Sequence, residues 1–191
     1  MRLSLLPGLI LVSGMFFGST FKLNFADELT HWLLYILLFL AGISVGSERV
    51  VISLRDLEIP FITMIGTLLS ALLVSPFLGI PIKVIMSVAS GFGWYTLAGP
   101  LITNLLGTEA GMLAFLSNLF RELISLALHR VIADRLGCEV LIACGGAASM
   151  DTFLPFVTEA CGRDSGIKSF VSGLVLTLMT PIIITLFASY L

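Results

Sequence analysis

The chain has 191 residues, of which 58% are hydrophobic and 12% charged, with a net charge of -2 and a mean hydropathy of +1.09. A soluble domain carries about a quarter charged residues, so this composition excludes an ordinary soluble protein and describes a polytopic membrane protein. The small net charge and the lack of a basic cluster give no reason to expect nucleic acid as a partner or a polybasic lipid-binding patch.

In chain order, Leu3 to Thr20 follows Arg2 and carries no charge. A signal peptide has a similar start, but Pro7, Gly8, Gly14 and Gly18 resemble helix-packing positions and no clean cleavage site follows, so a first membrane helix is expected. Leu29 to Gly46 is the second apolar segment, with His31, Trp32 and Tyr35 where interfacial residues belong. A charged loop with Glu48, Arg49, Arg55, Asp56 and Glu58 leads to the third, Ile59 to Gly79, which Pro76 bends or ends. Pro81 to Thr103 is the fourth and Thr108 to about His129 the fifth, continued into water by Arg130, Asp134 and Arg135. Glu139 to Ala160 is the sixth and Gly166 to Leu191 the last. Seven apolar segments use the whole length, so the expectation is an all-α membrane protein: a single transmembrane transporter domain over 1–191, with no linker and no soluble domain. If every segment crosses once, Lys and Arg divide almost evenly between the two sides and the positive-inside rule gives no orientation. A re-entrant segment would change that count.

Two segments are interrupted. The stretch Ser90-Gly91-Phe92-Gly93-Trp94-Tyr95-Thr96-Leu97-Ala98-Gly99-Pro100 breaks the fourth, and Cys144-Gly145-Gly146-Ala147-Ala148-Ser149-Met150-Asp151-Thr152 breaks the sixth. Breaks free backbone N–H and C=O groups that lipid cannot satisfy. Paired interruptions of this kind point to a solute site, with N–H groups at half-helix N-termini suited to an anion. Glycine used only for close helix packing explains one break easily. Two breaks, each bearing hydroxyls (Ser90 and Thr96; Ser149 and Thr152), favour the site. Gly91, Gly93, Trp94, Tyr95, Gly145, Gly146, Ser149 and Thr152 are therefore expected to line it.

Three charges fall inside apolar segments: Arg121, Glu122 and Asp151. Charge at bilayer depth costs on the order of 3 kcal/mol, so such residues pair or line a pathway. Asn118, Glu122 and Ser125 share one helical face. Glu122 could hold a cation or carry a proton. Arg121 and Glu122 are adjacent and point about 100° apart, so an Arg121–Asp151 ion pair locking the bundle is the expected use of the arginine. Cys138, Cys144 and Cys161 lack metal-ligand spacing and are expected to be small packing residues. The methionines are scattered packing, and no metal or other cofactor is implied.

The sequences Ser90-Gly91-Phe92-Gly93-Trp94-Tyr95-x-Leu97, Asn118-x-x-x-Arg121-Glu122-Leu123-Ile124 and Cys144-Gly145-Gly146-Ala147-Ala148-Ser149-Met150-Asp151-x-x-Leu154-Pro155, with Tyr35 to Ile43, resemble the lysine exporter family of bacteria and archaea in order and spacing. The resemblance covers most of the chain and corresponds to the C-terminal two-thirds of longer members. It implies export of L-lysine and close basic analogues across the cytoplasmic membrane by a multi-pass protein, with Glu122 matching an intramembrane carboxylate of the family. A proton gradient is the expected driving force, with sodium as an alternative. Because longer members bring further N-terminal helices, it also implies a homodimer or a small membrane partner subunit. Three other readings stand beside export. One is carriage of another solute, and one is a membrane subunit working only with a partner. The third is an intramembrane aspartyl protease, disfavoured because only one Asp lies at depth.

Overall fold

The computed structural model describes residues 54–190 and, before them, only Ser13, Gly14, Phe16, Phe17, Trp32 and Ile36. The first two apolar segments thus lie largely outside the described residues. The chain divides into two compact units, Met1–Ser44 and Val45–Leu191. The six early residues are helical and belong to the first. All that follows concerns the second.

A 3-10 turn, Leu54–Leu57, leads into α1 (Glu58–Leu78). Then come α2 (Ile82–Ala89), α3 (Tyr95–Leu106), α4 (Thr108–Leu136), α5 (Cys138–Gly145), a 3-10 turn Gly146–Met150, α6 (Leu154–Cys161) and α7 (Arg163–Tyr190). Among the described residues there is no strand. Helices α1, α4 and α7 are long and apolar enough to cross a membrane. At 1.5 Å per residue they measure roughly 32, 44 and 42 Å, against a bilayer core of about 30 Å. The all-α membrane class expected from composition holds.

Three clusters layer this unit from one face to the other. At one face Ile59 of α1 packs with Leu141 and Ile142 of α5 and Val157 of α6, joined by Ile132 and Ala133 near the end of α4. At the opposite face Val88 packs with Ala98 and Ile102, Ala110 and Ala114 of α4, and Ile184 of α7. Between them lie Met64, Phe92, Ala147 and Leu176. Helices α1 and α7 therefore run in one direction and α4 in the other.

This layering fixes what the two interrupted segments do. Cys138 and Cys161 form a disulfide with their Cα atoms 5.9 Å apart, so α5 enters and α6 leaves at the same face. Each arm has eight residues, about 12 Å of helix, too short to cross. The other pair mirrors it. Helix α1 ends at the opposite face, where Gly79 caps it and α2 begins after Pro81. Helix α3 runs back antiparallel to α4, with Tyr95 stacked edge-on against Phe115 at 5.4 Å, and ends one residue before α4 begins. Both segments are re-entrant hairpins, α2–α3 from one face and α5–α6 from the other. This corrects the expectation of a fourth and a sixth span. Hydropathy sees the length of an apolar run but not whether the chain reverses in its middle.

The cysteine expectation is also corrected. Cys138 and Cys161 are a covalent staple at the base of α5–α6, and only Cys144 is a free thiol among the described residues. Around that base Arg130 pairs with Glu159, and Lys168 lies 3.9 Å from Asp56 and 4.0 Å from Glu139. With both hairpins turning back, Arg55, Arg130, Arg135, Arg163 and Lys168 gather at the disulfide face. Among the described residues the opposite face keeps only Lys83.

Candidate functional site

The two hairpin tips meet in the middle layer. The Phe92 carbonyl accepts the Ala147 N–H at 2.8 Å. Gly146 has φ +61, and a Cβ there would stand 3.1 Å from Arg121 Nη2 and collide with the Phe92 carbonyl oxygen. Only glycine gives both the left-handed backbone and the room. Phe92 itself is left-handed at φ 45, an uncommon state for a bulky residue. Its ring is fully buried against the middle cluster, which holds the turn in place. A Cβ at Gly93 would come 3.2 Å from the Gly145 carbonyl, and one at Gly145 would meet the Phe153 ring at 2.5 Å. Gly93 and Gly146 stand at the contact between the tips, while Gly91 packs on Asn118 and Gly145 on Ser149 and Phe153.

Asn118 positions the first tip. Its Oδ1 accepts the Gly93 N–H at 2.7 Å, and its Nδ2 donates to the carbonyls of Val88 at 3.1 Å and Ala114 at 2.9 Å. The buried amide uses its main hydrogen-bonding capacity on the backbone, and a Cβ at Gly91 would fall 2.5 Å from Nδ2. Ser149 does the same in the second tip. It is fully buried, its Oγ donates to the Ile142 carbonyl at 2.8 Å, and its own carbonyl accepts from Ser169 Oγ at 2.8 Å. Both residues hold the tips in shape, and neither presents a free polar atom.

Beside the tips the two acids come together. Thr152 Oγ1 donates to Glu122 Oε1 at 2.5 Å and also lies 3.3 Å from Asp151 Oδ1, which accepts the Thr152 N–H. Glu122 is buried, Asp151 half-buried and Thr152 exposed, so the pair is reachable from outside the packed core. Tyr95 lies within electrostatic range of both carboxylates, and Trp94 is half-buried against the middle cluster. Helix α3 begins at Tyr95 with no side-chain cap. The Ala98 N–H donates to the Trp94 carbonyl, and among the described residues no acceptor is found for the N–H groups of Tyr95, Thr96 and Leu97. These are the orphan donors of a helix start, beside a tip at the mid-level of the core.

Arg121 does not pair with Asp151, which corrects the expected lock. Its Nη2 donates to the Ala143 carbonyl at 2.9 Å and its Nε to the Cys144 carbonyl at 3.2 Å, at the C-terminal end of α5. Among the described residues no basic side chain forms an ion pair with Glu122 or Asp151. A helix end carries about half a negative charge, and here that end claims the arginine, leaving the acids without a basic partner among the described residues.

Sequence reasoning missed the contribution of α7. Gly166, Ser169, Gly173, Leu176 and Thr180 are buried along one face, and a Cβ at Gly173 would lie 2.9 Å from the Ala147 carbonyl. Their three- and four-residue spacing was the available signal. It marks the bed on which the second tip rests.

An all-α membrane core holding two opposed re-entrant hairpins, tip to tip beside two acids bridged by a threonine, is the class of protein this geometry defines. The chain belongs to the family described as lysine exporter LysO, whose model matches residues 8–188. It is 34% identical over 172 residues to "Lysine exporter LysO" of Escherichia coli (strain K12), covering 87% of this chain and 57% of that protein. It is 27% identical over 173 residues to the "Putative lysine exporter" of Haemophilus influenzae, covering 88% of each. The chain thus spans little more than half the length of the first relative. No solved structure matches it.

Proposed function

We propose that this chain forms the solute site of a secondary transporter that exports L-lysine across the cytoplasmic membrane by exchange for protons. The observation that carries the reading is the acid pair: Glu122 and Asp151 share the Thr152 hydroxyl, and among the described residues no basic side chain forms an ion pair with them. Two carboxylates at bilayer depth without a cation are costly, and an ammonium group removes that cost. Lysine also brings a carboxylate, for which the unclaimed N–H groups at the start of α3 are suited donors. The names of the relatives support the same substrate.

Protonation of Glu122 from outside discharges the site and releases the ammonium, and deprotonation towards the cytoplasm reloads it. The hairpins enter from opposite faces and touch through one backbone hydrogen bond, so displacing either opens the site towards its own face. That is alternating access around a fixed centre. The basic residues gathered at the disulfide face among the described residues support a cytoplasmic position for that face under the positive-inside rule. A second copy or a small membrane subunit is part of the proposal. The open apolar groove lined by Gly99, Pro100, Met112 and Phe115 is a surface for it, and mass measurement of the purified protein in detergent decides.

The test is lysine flux in liposomes holding only this purified chain under an imposed pH gradient. Gradient-driven flux, blocked by unlabelled lysine but not by leucine, is the expected outcome. A folded protein without flux would refute the reading for the chain alone.

A further inference from the structure

The C-terminal end of half-helix α5 lies at the second tip, where a chain crossing lipid most needs positive charge. Three of its terminal carbonyls have identified donors. Ile142 O accepts from Ser149 Oγ and from the Gly146 N–H. Ala143 O accepts from Arg121 Nη2 at 2.9 Å. Cys144 O accepts from Arg121 Nε at 3.2 Å and from Ser125 Oγ at 3.3 Å. In broken-helix transporters such carbonyl ends coordinate the coupling cation. Here a guanidinium from α4 holds that position, with no carboxylate in ion-pairing contact among the described residues. Its charge is permanent, and its planar fork meets two successive carbonyls at once. Gly146 keeps the space beside Nη2 open.

We infer that Arg121 is a tethered cation filling the site that a monovalent metal ion would otherwise occupy at the end of α5. The consequence for transport is that sodium has no place to bind there, and the two carboxylates stay free for the solute. This rests on the reading of the chain as a transporter in its consequence, but the occupancy of the carbonyl site does not.

The site is tested first without transport. Purified wild type and Arg121→Ala are melted in choline, sodium and guanidinium chlorides at equal, low millimolar concentration. The expected result is a wild-type Tm equal in sodium and choline, a lower Tm for Arg121→Ala in choline, and recovery of part of that loss in guanidinium or sodium. A merely structural arginine would show the loss without the recovery, and that result overturns the inference. If Arg121→Ala cannot be isolated folded, wild type decides alone: a Tm or a lysine flux that requires sodium overturns it, and equality in sodium and choline upholds it. Wild type with cation-rescued Arg121→Ala but no lysine flux would refute the export reading and leave the tethered cation standing.

Discussion

Thr152 Oγ1 donates to Glu122 Oε1 at 2.5 Å while lying 3.3 Å from Asp151 Oδ1, so one hydroxyl on the second hairpin ties a carboxylate of its own tip to one on α4. Every charge-bearing part of the proposed site meets at this threonine. Its replacement separates the hydroxyl from the fold. Thr152→Val keeps the shape and removes the donor, which leaves the acids facing each other without a bridge. Lysine affinity is expected to fall about tenfold, equivalent to ~1.4 kcal/mol, with Tm little changed. Thr152→Ser is expected to restore most of it. Isothermal titration of lysine into the purified variants checks both.

Glu122→Gln keeps the hydrogen bond from Thr152 but removes the charge and the titration. If Glu122 is the carboxylate that trades lysine for a proton, gradient-driven flux is expected to fall by a factor of at least about 100, roughly 2.7 kcal/mol in the barrier. The residual flux should no longer respond to the pH gradient. Asp151→Asn should weaken lysine binding yet keep that response. Flux at the normal rate in Glu122→Gln would refute the exchange mechanism.

The tip contact is open to a backbone test. Gly146→Ala puts a methyl group against the Phe92 carbonyl and forces an alanine to φ +61. Left-handed strain and the lost approach together are expected to cost about 2–3 kcal/mol, read as a lowered Tm. Gly79, also left-handed at φ +63, has nothing within 4 Å of a Cβ. Gly79→Ala is therefore expected to cost only about 1 kcal/mol. Gly79 lies in the αL basin at ψ 20 and Gly146 at ψ -131, so the larger cost at Gly146 combines the lost approach with the less accessible backbone.

Much of this was legible in the residues, for stated reasons. Glycine clusters inside apolar runs announce interrupted helices, and charges inside such runs announce a site, so both tips and the two acids Glu122 and Asp151 could be found from sequence, though not that the acids meet. Partners could not. Arg121 has an acid next to it in sequence and another expected across the bundle, and it binds neither because a helix end competes for it. That Asn118 on α4 and Ser149 in the second break hydrogen-bond to backbone could not be read from sequence, because an amide or hydroxyl looks the same whether it faces solute or backbone. The reversal at each tip was not legible either, because it depends on contacts between residues far apart in the chain. Cys138 and Cys161, 23 residues apart, come together only because of it.

That reversal makes a sharp prediction about the same two cysteines. A re-entrant α5–α6 puts both at one face, whereas a crossing segment would put them on opposite sides of the bilayer. If that face is the cytoplasmic one, as proposed, the thiol pool there keeps cysteines reduced. In intact cells lysed under acid quench, Cys138 and Cys161 are expected to be alkylated as free thiols. In protein purified in air they are expected to be protected, with only Cys144 available. The closed pair should raise Tm, with about 3 kcal/mol as the upper bound for a loop of this length. A membrane-impermeant maleimide should reach both cysteines from the cytoplasmic side of inverted vesicles and neither from the outside of intact cells. Labelling of one from each side would refute the re-entrant hairpin. Labelling of both from outside would keep the hairpin and reverse the orientation, and the pair would then be expected to be oxidised in the cell as well.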